Sequence, residues 1–441
     1  MKAGYARQKI TPPIGTPMLG FGGRDREKGC EGIHDDIHVH ALFLTHGGVT
    51  AVILAYDLCF FSRAEADRIR GCVGRRLDLA PRQILLNSSH THVGPGTAAD
   101  WGYNAYQAAD NLYVDEVVAA TIRAVESASS SAREATVWAG TTTTRVPLSR
   151  RRPDGKGGVE WRPYPDGETC NTLPVCLFKD SSGKPISLLY SVSCHPSTIK
   201  GWQISADYPG VANDVLNRHL GMGPCGGAMF LQGCGGDTKA RIIGDHRDDS
   251  GGPAWRSGTW DEVAKVGGEV AEQVITVLSS GMQRCAPGLA CEEIEMDWPL
   301  GALPARTELE VKLAAKETCD LEKLWAGRQL EILKRRGALE TTASILAQGF
   351  KIAAGVRMIG LEGEAVAGLG LQILGAYKDG ITFPLGYIHG TRLYLPTEKM
   401  LKEKGYEVDS FYEYGFPAPL APGFEAILRD TIAELKKRGI D

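Results

Sequence analysis

The chain reads as a mixed α/β protein. Strand-like segments, either alternating or wholly apolar, are interleaved with segments of helical spacing, and no clean linker separates them. Its 441 residues suffice for several average domains, yet large single α/β or α+β domains reach the same size, and 43% hydrophobic residues allow a large core. No internal repeat or low-complexity segment interrupts the pattern. The expectation is one domain over residues 1–441, with a helical insertion around 305–347.

Each element has its own signal. Ile33 to Leu44 alternates, with Ile37, Val39, Ala41 and Phe43 on one face and His38 and His40 on the other, which fits the polar side of a sheet strand better than a metal set with His34. Val49 to Asp57 is an almost wholly apolar strand, and Ser62 offers a hydroxyl to cap the helix that follows. Gln83-Ile-Leu-Leu86 reads as a buried strand. Val114, Val117, Val118, Ile122 and Val125 recur at helical spacing, closed by the serine-rich 127–131. Residues 146–170, rich in Arg, Pro, Gly and Asp, read as a long irregular loop. Strands are expected at Leu173 to Phe178 and Ile186 to Val192, and another runs through Phe230 and Leu231 into a glycine-rich turn. Thr307 to Leu346 has a helical pattern, with Leu309, Leu313, Leu321 and Leu324 among its apolar positions. The remainder reads as a strand at Gly355 to Leu361, a helix around Ala367 to Tyr377, a candidate strand at Gly390 to Thr397 and a helix from Gly423 to Lys437.

Composition excludes several partners. A net charge of -4 with both signs mixed gives no electrostatic basis for binding nucleic acid or an anionic membrane surface. No apolar run approaches the ~20 residues of a membrane span. The first residues lack the apolar stretch of a signal peptide, so a cytoplasmic protein acting on a small molecule is expected. Eleven cysteines, an odd number without a CxxC pair, fit reduced thiols better than a disulfide framework or a structural zinc ribbon.

The densest chemistry lies in Asn87-Ser-Ser-His-Thr-His-Val-Gly-Pro-Gly96, where two imidazoles flank one threonine just after an apolar strand. Imidazole is the commonest metal-binding side chain, and alternate positions of a strand face the same way, so His90 and His92 are placed to share one centre. An isolated HxH is as often structural as functional, so partners decide the matter. Four segments offer them. His195 follows the apolar strand ending near Val192 and precedes Pro196. The turn Gly233-Cys-Gly-Gly-Asp-Thr-Lys239 carries Asp237, Thr238 and Lys239 and offers backbone N–H groups to an oxyanion. Cys234 in that turn is a minor nucleophile option, with no base nearby in sequence. Glu364, between a strand and a helix start, reads equally as a cap or a ligand, and Tyr394 lies on the candidate strand at 390–397.

Taken in this order, the segments resemble the neutral/alkaline ceramidase family of zinc amidohydrolases. In that family a strand ending in THTHSGPG supplies a zinc histidine, and His90-Thr-His-Val-Gly-Pro-Gly96 departs from it only at Val93. A second zinc histidine lies in an H-P or H-G turn, as in His195-Pro196, followed by a segment that Ser205-Ala-Asp-Tyr-Pro-Gly210 echoes. The family's PGEFTTMAG carries a zinc glutamate, and Glu362-Gly-Glu-Ala-Val-Ala-Gly368 is similar, which gives that role to Glu364. Its YxTTxEEY carries a zinc tyrosine, matched at Tyr394, Thr397 and Glu398. Ala6 to Pro13, Gly32-Ile-His34 and Tyr56-Asp57 resemble the family's start, so the likeness spans nearly the whole chain.

The resemblance implies a large domain of mixed sheets packed against helices, with Zn2+ held by His90, His195, Glu364 and Tyr394. Such a set suits hydrolysis, because zinc with an open position lowers the pKa of bound water towards ~7. His92 would hold the water or move its proton, Tyr394 would ligate weakly or stabilise an oxyanion, and Arg150 or Arg151 would orient a polar substrate group. Three departures bear on substrate. The family serine after Gly-Asp is replaced by Lys239, or by Thr238 if the alignment shifts by one, which favours attack by metal-activated water on a polar or anionic substrate over an acyl-serine route on a lipid amide. Because the tyrosine motif lies near the end of the sequence, the family's C-terminal immunoglobulin-like domain is not expected here, nor is secretion. The expected function is hydrolysis of an N-acyl bond in a small polar or anionic substrate. Alternatives are ester or lactone hydrolysis at the same site, a true ceramidase, or a catalytically inactive binding protein of the same fold.

Overall fold

The computed structural model describes residues 1–441 except 23, 26, 27, 98–110 and 248–252. A nine-stranded sheet runs in the order Gly227–Gln232, Pro185–Val192, Thr172–Asp180, Arg133–Thr143, Lys2–Lys9, His38–His46, Val49–Tyr56 and Ile84–Ser88, with Gln283–Cys285 added beside Arg133–Thr143. A four-stranded sheet is formed by Ala290–Pro299, Thr342–Ala353, Val356–Leu361 and Ile381–Leu385. The two sheets pack face to face. Tyr5, Leu42, Ile53 and Phe178 of the large one meet Phe350, Met358 and Phe383 of the small one in a single core.

Helices cover both outer faces. Val39, Leu54 and Tyr56 lie under Ile69 of the helix Arg63–Leu77 and Val117 of Asn111–Ser130. Leu177, Leu188 and Phe230 lie under Leu216 of Asp207–His219 and Val274 of Trp260–Ser279. On the small sheet, Ile345 and Ile359 are capped by Ile373 of Ala367–Ala376 and Leu428 of Phe424–Lys437. Strands buried on both faces explain runs such as Ala51 to Tyr56, since each fully buried large aliphatic or aromatic side chain contributes about 1.5–3 kcal/mol. Ser62 caps its helix as expected, in a reciprocal capping box with Glu65. Among the described residues no helix is long and apolar enough to cross a membrane, and all eleven cysteines are free.

Several expectations are corrected. Residues 146–170 are not an irregular loop. Pro147–Pro153 and Val159–Tyr164 form an antiparallel pair, and Thr238–Ala240 joins its first strand to make a three-stranded sheet. The polar sequence hid it, because the strand is completed by a partner distant in the chain. The helical segment Thr307 to Leu346 is two helices, Arg306–Ala314 and Asp320–Arg336, and from Thr342 the chain is already strand. Of the candidate strand at 390–397 Tyr394–Leu395 forms a short strand parallel to Glu364–Ala365, and Gly390 makes an isolated bridge with Phe61. His38 and His40 do not lie on a polar face: His40 is buried, its Nδ1 2.8 Å from the Tyr5 hydroxyl, and both histidines approach Asp57. The strand Lys2–Lys9 carried no clear signal. Its Gly4 permits close approach of the helix Asn111–Ser130, where a Cβ would meet the Ala128 carbonyl oxygen at 2.0 Å.

The sheets bring several strand ends together. Val49–Tyr56 runs parallel to Ile84–Ser88, Pro185–Val192 to Gly227–Gln232, and Val356–Leu361 to Ile381–Leu385. Ile84–Ser88 and Gly227–Gln232 stand at opposite ends of the sheet order, yet the Asn87 amide joins them by donating to the Gln232 carbonyl (3.2 Å) and accepting from the Gln232 N–H (2.7 Å). The segments bearing His90, His195, Lys239 and Glu364 all follow carboxyl ends of these parallel strands, where open α/β sheets place their binding crevices.

Candidate metal centre

After Ile84–Ser88 the backbone does not continue as strand. His90 adopts φ +67, a conformation a side chain other than glycine rarely takes, and its N–H donates to the Leu58 carbonyl (2.9 Å). The two imidazoles therefore meet across a turn and not by strand alternation, with Nε2 of His92 3.0 Å from Nε2 of His90. His90 Nδ1 lies 3.0 Å from the Cys59 carbonyl oxygen, and His195 Nδ1 lies 2.7 Å from that of Gly235. A neutral imidazole that donates from Nδ1 keeps its Nε2 lone pair free. Both Nε2 atoms face Glu364 Oε2, at 3.2 Å from His90 and 3.3 Å from His195.

Glu364 is held from several sides. Its N–H donates to the Leu393 carbonyl, the Tyr387 hydroxyl donates to Oε2 at 3.4 Å, and the Tyr414 hydroxyl donates to Oε1. Tyr394 sits opposite Glu364 in the short parallel pair, with its hydroxyl 3.4 Å from His195 Nε2. Burial disfavours a charge on His90, but Glu364 and Cys59 together outweigh it and lift the pKa to about 10. His195 is pushed down to about 4, first by burial and then by the Arg150 cation. Burial also holds His92 well below its ordinary value.

Without a cation, then, three acceptors converge and a proton on His90 has to separate them. A divalent ion fits the same place: two imidazole nitrogens and a carboxylate oxygen, with their partner atoms already committed to the protein, form a ligand set for one. His92 groups with His90 and Cys59 but not with His195 and Glu364. A second cluster, His38, His40 and Asp57, also gathers donor atoms within 4.8 Å.

A cavity of about 490 Å³ opens on this centre, lined by His90, His92, Arg150, Lys239, Glu364 and Tyr394. Lys239 Nζ lies 5.2 Å from the Trp255 ring centre, and burial followed by repulsion from Arg150 lowers its pKa to about 8. The Arg150 guanidinium stacks on Trp161 at 3.8 Å, its Nε donates to Glu407 at 2.8 Å, and its Nη2 is buried with no partner. Arg151 lies outside the lining and is held by Glu407, Glu403 and the Lys404 carbonyl. Thr238 is also outside, its hydroxyl donating to the Ser193 carbonyl at 2.8 Å, so Lys239 is the residue of the turn that meets the cavity. Asp237 is buried away from it, accepting from the Ala367 N–H at 2.8 Å at the start of a helix, and burial raises its pKa to about 7.

Three N–H groups of the glycine-rich turn are not available to an oxyanion. Its Gly233, Gly236 and Thr238 N–H groups donate to the carbonyls of Val192, Ala365 and Gly235. Glycine is needed there for proximity: a Cβ on Gly236 would stand 2.5 Å from the Glu364 carbonyl oxygen, and one on Gly235 2.6 Å from the Cys194 nitrogen. Cys234 is no nucleophile either. It is fully buried in an apolar cluster, and burial holds its thiol well above the ordinary value. Sequence reasoning missed Tyr387 and Tyr414 around Glu364, Glu407 behind Arg150, and Trp161, Tyr406 and Glu413 in the lining. Of these only Trp161 had a cue, an aromatic in the segment read as loop.

No protein-family model matches the chain, and no curated protein does. Solved structures do. A ceramidase complexed with C2 superposes with a TM-score of 0.73 at 15% identity, over 99% of this chain and 75% of that one. The neutral ceramidase of Pseudomonas aeruginosa gives 0.72 at 16%, over 98% of this chain and 73% of that one. The protein thus has the neutral ceramidase fold, in a divergent sequence, as the order of its motifs implied.

Proposed function

We propose that the protein is a zinc-dependent hydrolase that cleaves the N-acyl bond of a small polar or anionic substrate. The observation that carries this reading is the three-acceptor centre of His90 Nε2, His195 Nε2 and Glu364 Oε2 beside a cavity lined by two cations. His90, His195 and Glu364 would hold the ion, with Tyr394 at its side. When bound, zinc supplies Lewis acidity that lowers the pKa of a water and polarises a carbonyl.

The chain's own groups supply the rest. His92, kept neutral by burial and with Nε2 3.0 Å from His90 Nε2, would hold the attacking water by a hydrogen bond. The Tyr394 hydroxyl is a donor for a developing oxyanion. Arg150 is locked by Glu407 and Trp161 with Nη2 free to bind, and with Lys239 it matches a carboxylate or similarly polar group on the substrate. Asp237, Thr238 and Arg151 act as positioning residues for these groups. Residues 1–441 form one catalytic unit in this reading, acting in the cytoplasm.

The test is metal analysis of the purified protein and of His195→Ala, followed by turnover of N-acyl, ester and lactone compounds before and after chelation. About one equivalent of zinc is expected, lost in the variant, with amide hydrolysis abolished by chelation and restored by zinc. Less than about half an equivalent, unchanged in His195→Ala, would sink the reading.

A further inference from the structure

A second cavity, of about 640 Å³, lies on the other side of Tyr414, which lines both it and the cavity at the metal centre. It is walled by the start of the helix Arg63–Leu77, by the helix Asp320–Arg336, and by Thr391, Arg392 and Phe416. Its chemistry is dominated by guanidinium groups. Arg63 is paired with Glu362 and Glu295. Among the described residues Arg335 and Arg336 are paired with Glu331 and Glu340 alone, four residues away, in exposed bridges worth about 0–1 kcal/mol that a stronger anion can displace.

Arg392 is different. It is half-buried, its guanidinium stands 5.3 Å from the Phe416 ring centre, and its Nε is buried with no partner. Among the described residues it has no ion pair. The adjacent Thr391, 2% exposed, also leaves its hydroxyl without a partner. A buried donor without an acceptor costs about 1–3 kcal/mol, and here two such donors belong to neighbouring residues that line one cavity. Burial and the nearby Arg63 both disfavour the charge on Arg392, which an anion would relieve.

We propose that this cavity is a binding site for a small molecule carrying a phosphate group. The Arg392 fork and the Thr391 hydroxyl take the phosphate oxygens, and Arg335 and Arg336 turn from their glutamates to the remaining charge. A multiply charged oxyanion suits this arrangement better than a single carboxylate, because it can engage several guanidinium groups at once. Bound there, the ligand packs behind Tyr414, whose hydroxyl holds Glu364.

The probe is inorganic phosphate, titrated calorimetrically into the intact protein, with acetate as the single-charge comparison. Saturable binding at one site is expected, weakened about tenfold or more by Arg392→Gln and left nearly unchanged by Lys239→Ala. Acetate is expected to bind more weakly. If Arg392→Gln fails to fold, as judged by circular dichroism, Thr391→Val replaces it, with a weakening of about threefold expected. The proposal is overturned by absence of saturable binding up to about 10 mM, by binding undiminished in the folded variant, by acetate binding as tightly, or by loss in Lys239→Ala, which would place the phosphate at the metal centre. None of these readouts involves zinc or hydrolysis, so this proposal and the catalytic one fail separately.

Discussion

At the scale of single residues, Lys239 couples the pocket's charge to pH. Its pKa, about 8 in the folded protein, lies below the ordinary lysine value, so the cation is lost as pH rises through about 8. For an anionic substrate, KM is expected to rise above that pH, by up to about tenfold per unit if the ion pair dominates binding. Lys239→Arg should flatten the profile, and Lys239→Ala should raise KM at neutral pH about 10- to 100-fold with a smaller change in kcat. A wild-type KM that stays level across that range would remove Lys239 from substrate recognition. Tyr414 gives a second residue-level test, since its hydroxyl donates to Glu364. Tyr414→Phe is expected to weaken metal binding about 10- to 100-fold, read by competition with a chromophoric chelator. An unchanged affinity would make the tyrosine a wall of the pocket and nothing more.

At the scale of elements, the proposed ligands are set by close approach of turns. Gly236 lies against Glu364 and Ala365, and a Cβ there would press on backbone that cannot swing aside. Gly236→Ala is expected to destabilise the fold by about 1–3 kcal/mol and to loosen the metal, measured by thermal denaturation and metal titration together. Stability lost with metal affinity intact would mean the turn does not position Glu364. The same scale explains what could be read from the sequence. Buried strands such as Val49–Tyr56 and the Ser62-capped helix announce themselves locally, because apolar runs and caps are local chemistry. So did His90, His195, Glu364 and Tyr394, as members of motifs. The hairpin carrying Arg150 did not, because its first strand pairs with Thr238–Ala240, far along the chain. Nor did Tyr387, in a loop, and Tyr414, at the end of the 3-10 helix Ser410–Tyr414, which reach Glu364 from 23 and 50 residues away without any periodic signal. The geometry of His90 and His92 came from a positive φ that strand alternation cannot foresee.

At the scale of the whole molecule, the centre ties the two sheets together: His90 and His195 follow strands of the large sheet and Glu364 follows one of the small sheet. An ion that binds only the folded chain stabilises it by mass action, about 2.7 kcal/mol at a hundredfold excess over Kd. That gain depends on pH through His90. In the metal-free protein Glu364 and Cys59 together raise its pKa to about 10 against burial, so the protonated imidazole stabilises the metal-free fold fully below the ordinary histidine value and this is lost as pH rises through about 10. The ion has to displace that proton, so it competes worst at low pH and best at high pH. The difference in Tm between metal-loaded and chelated protein is therefore expected to widen from about pH 6.5 to 9, by a few degrees, and to vanish in His90→Ala. A difference that narrows over this range, or that survives in His90→Ala, would move the stabilising ion elsewhere, with His38, His40 and Asp57 as the cluster to substitute next.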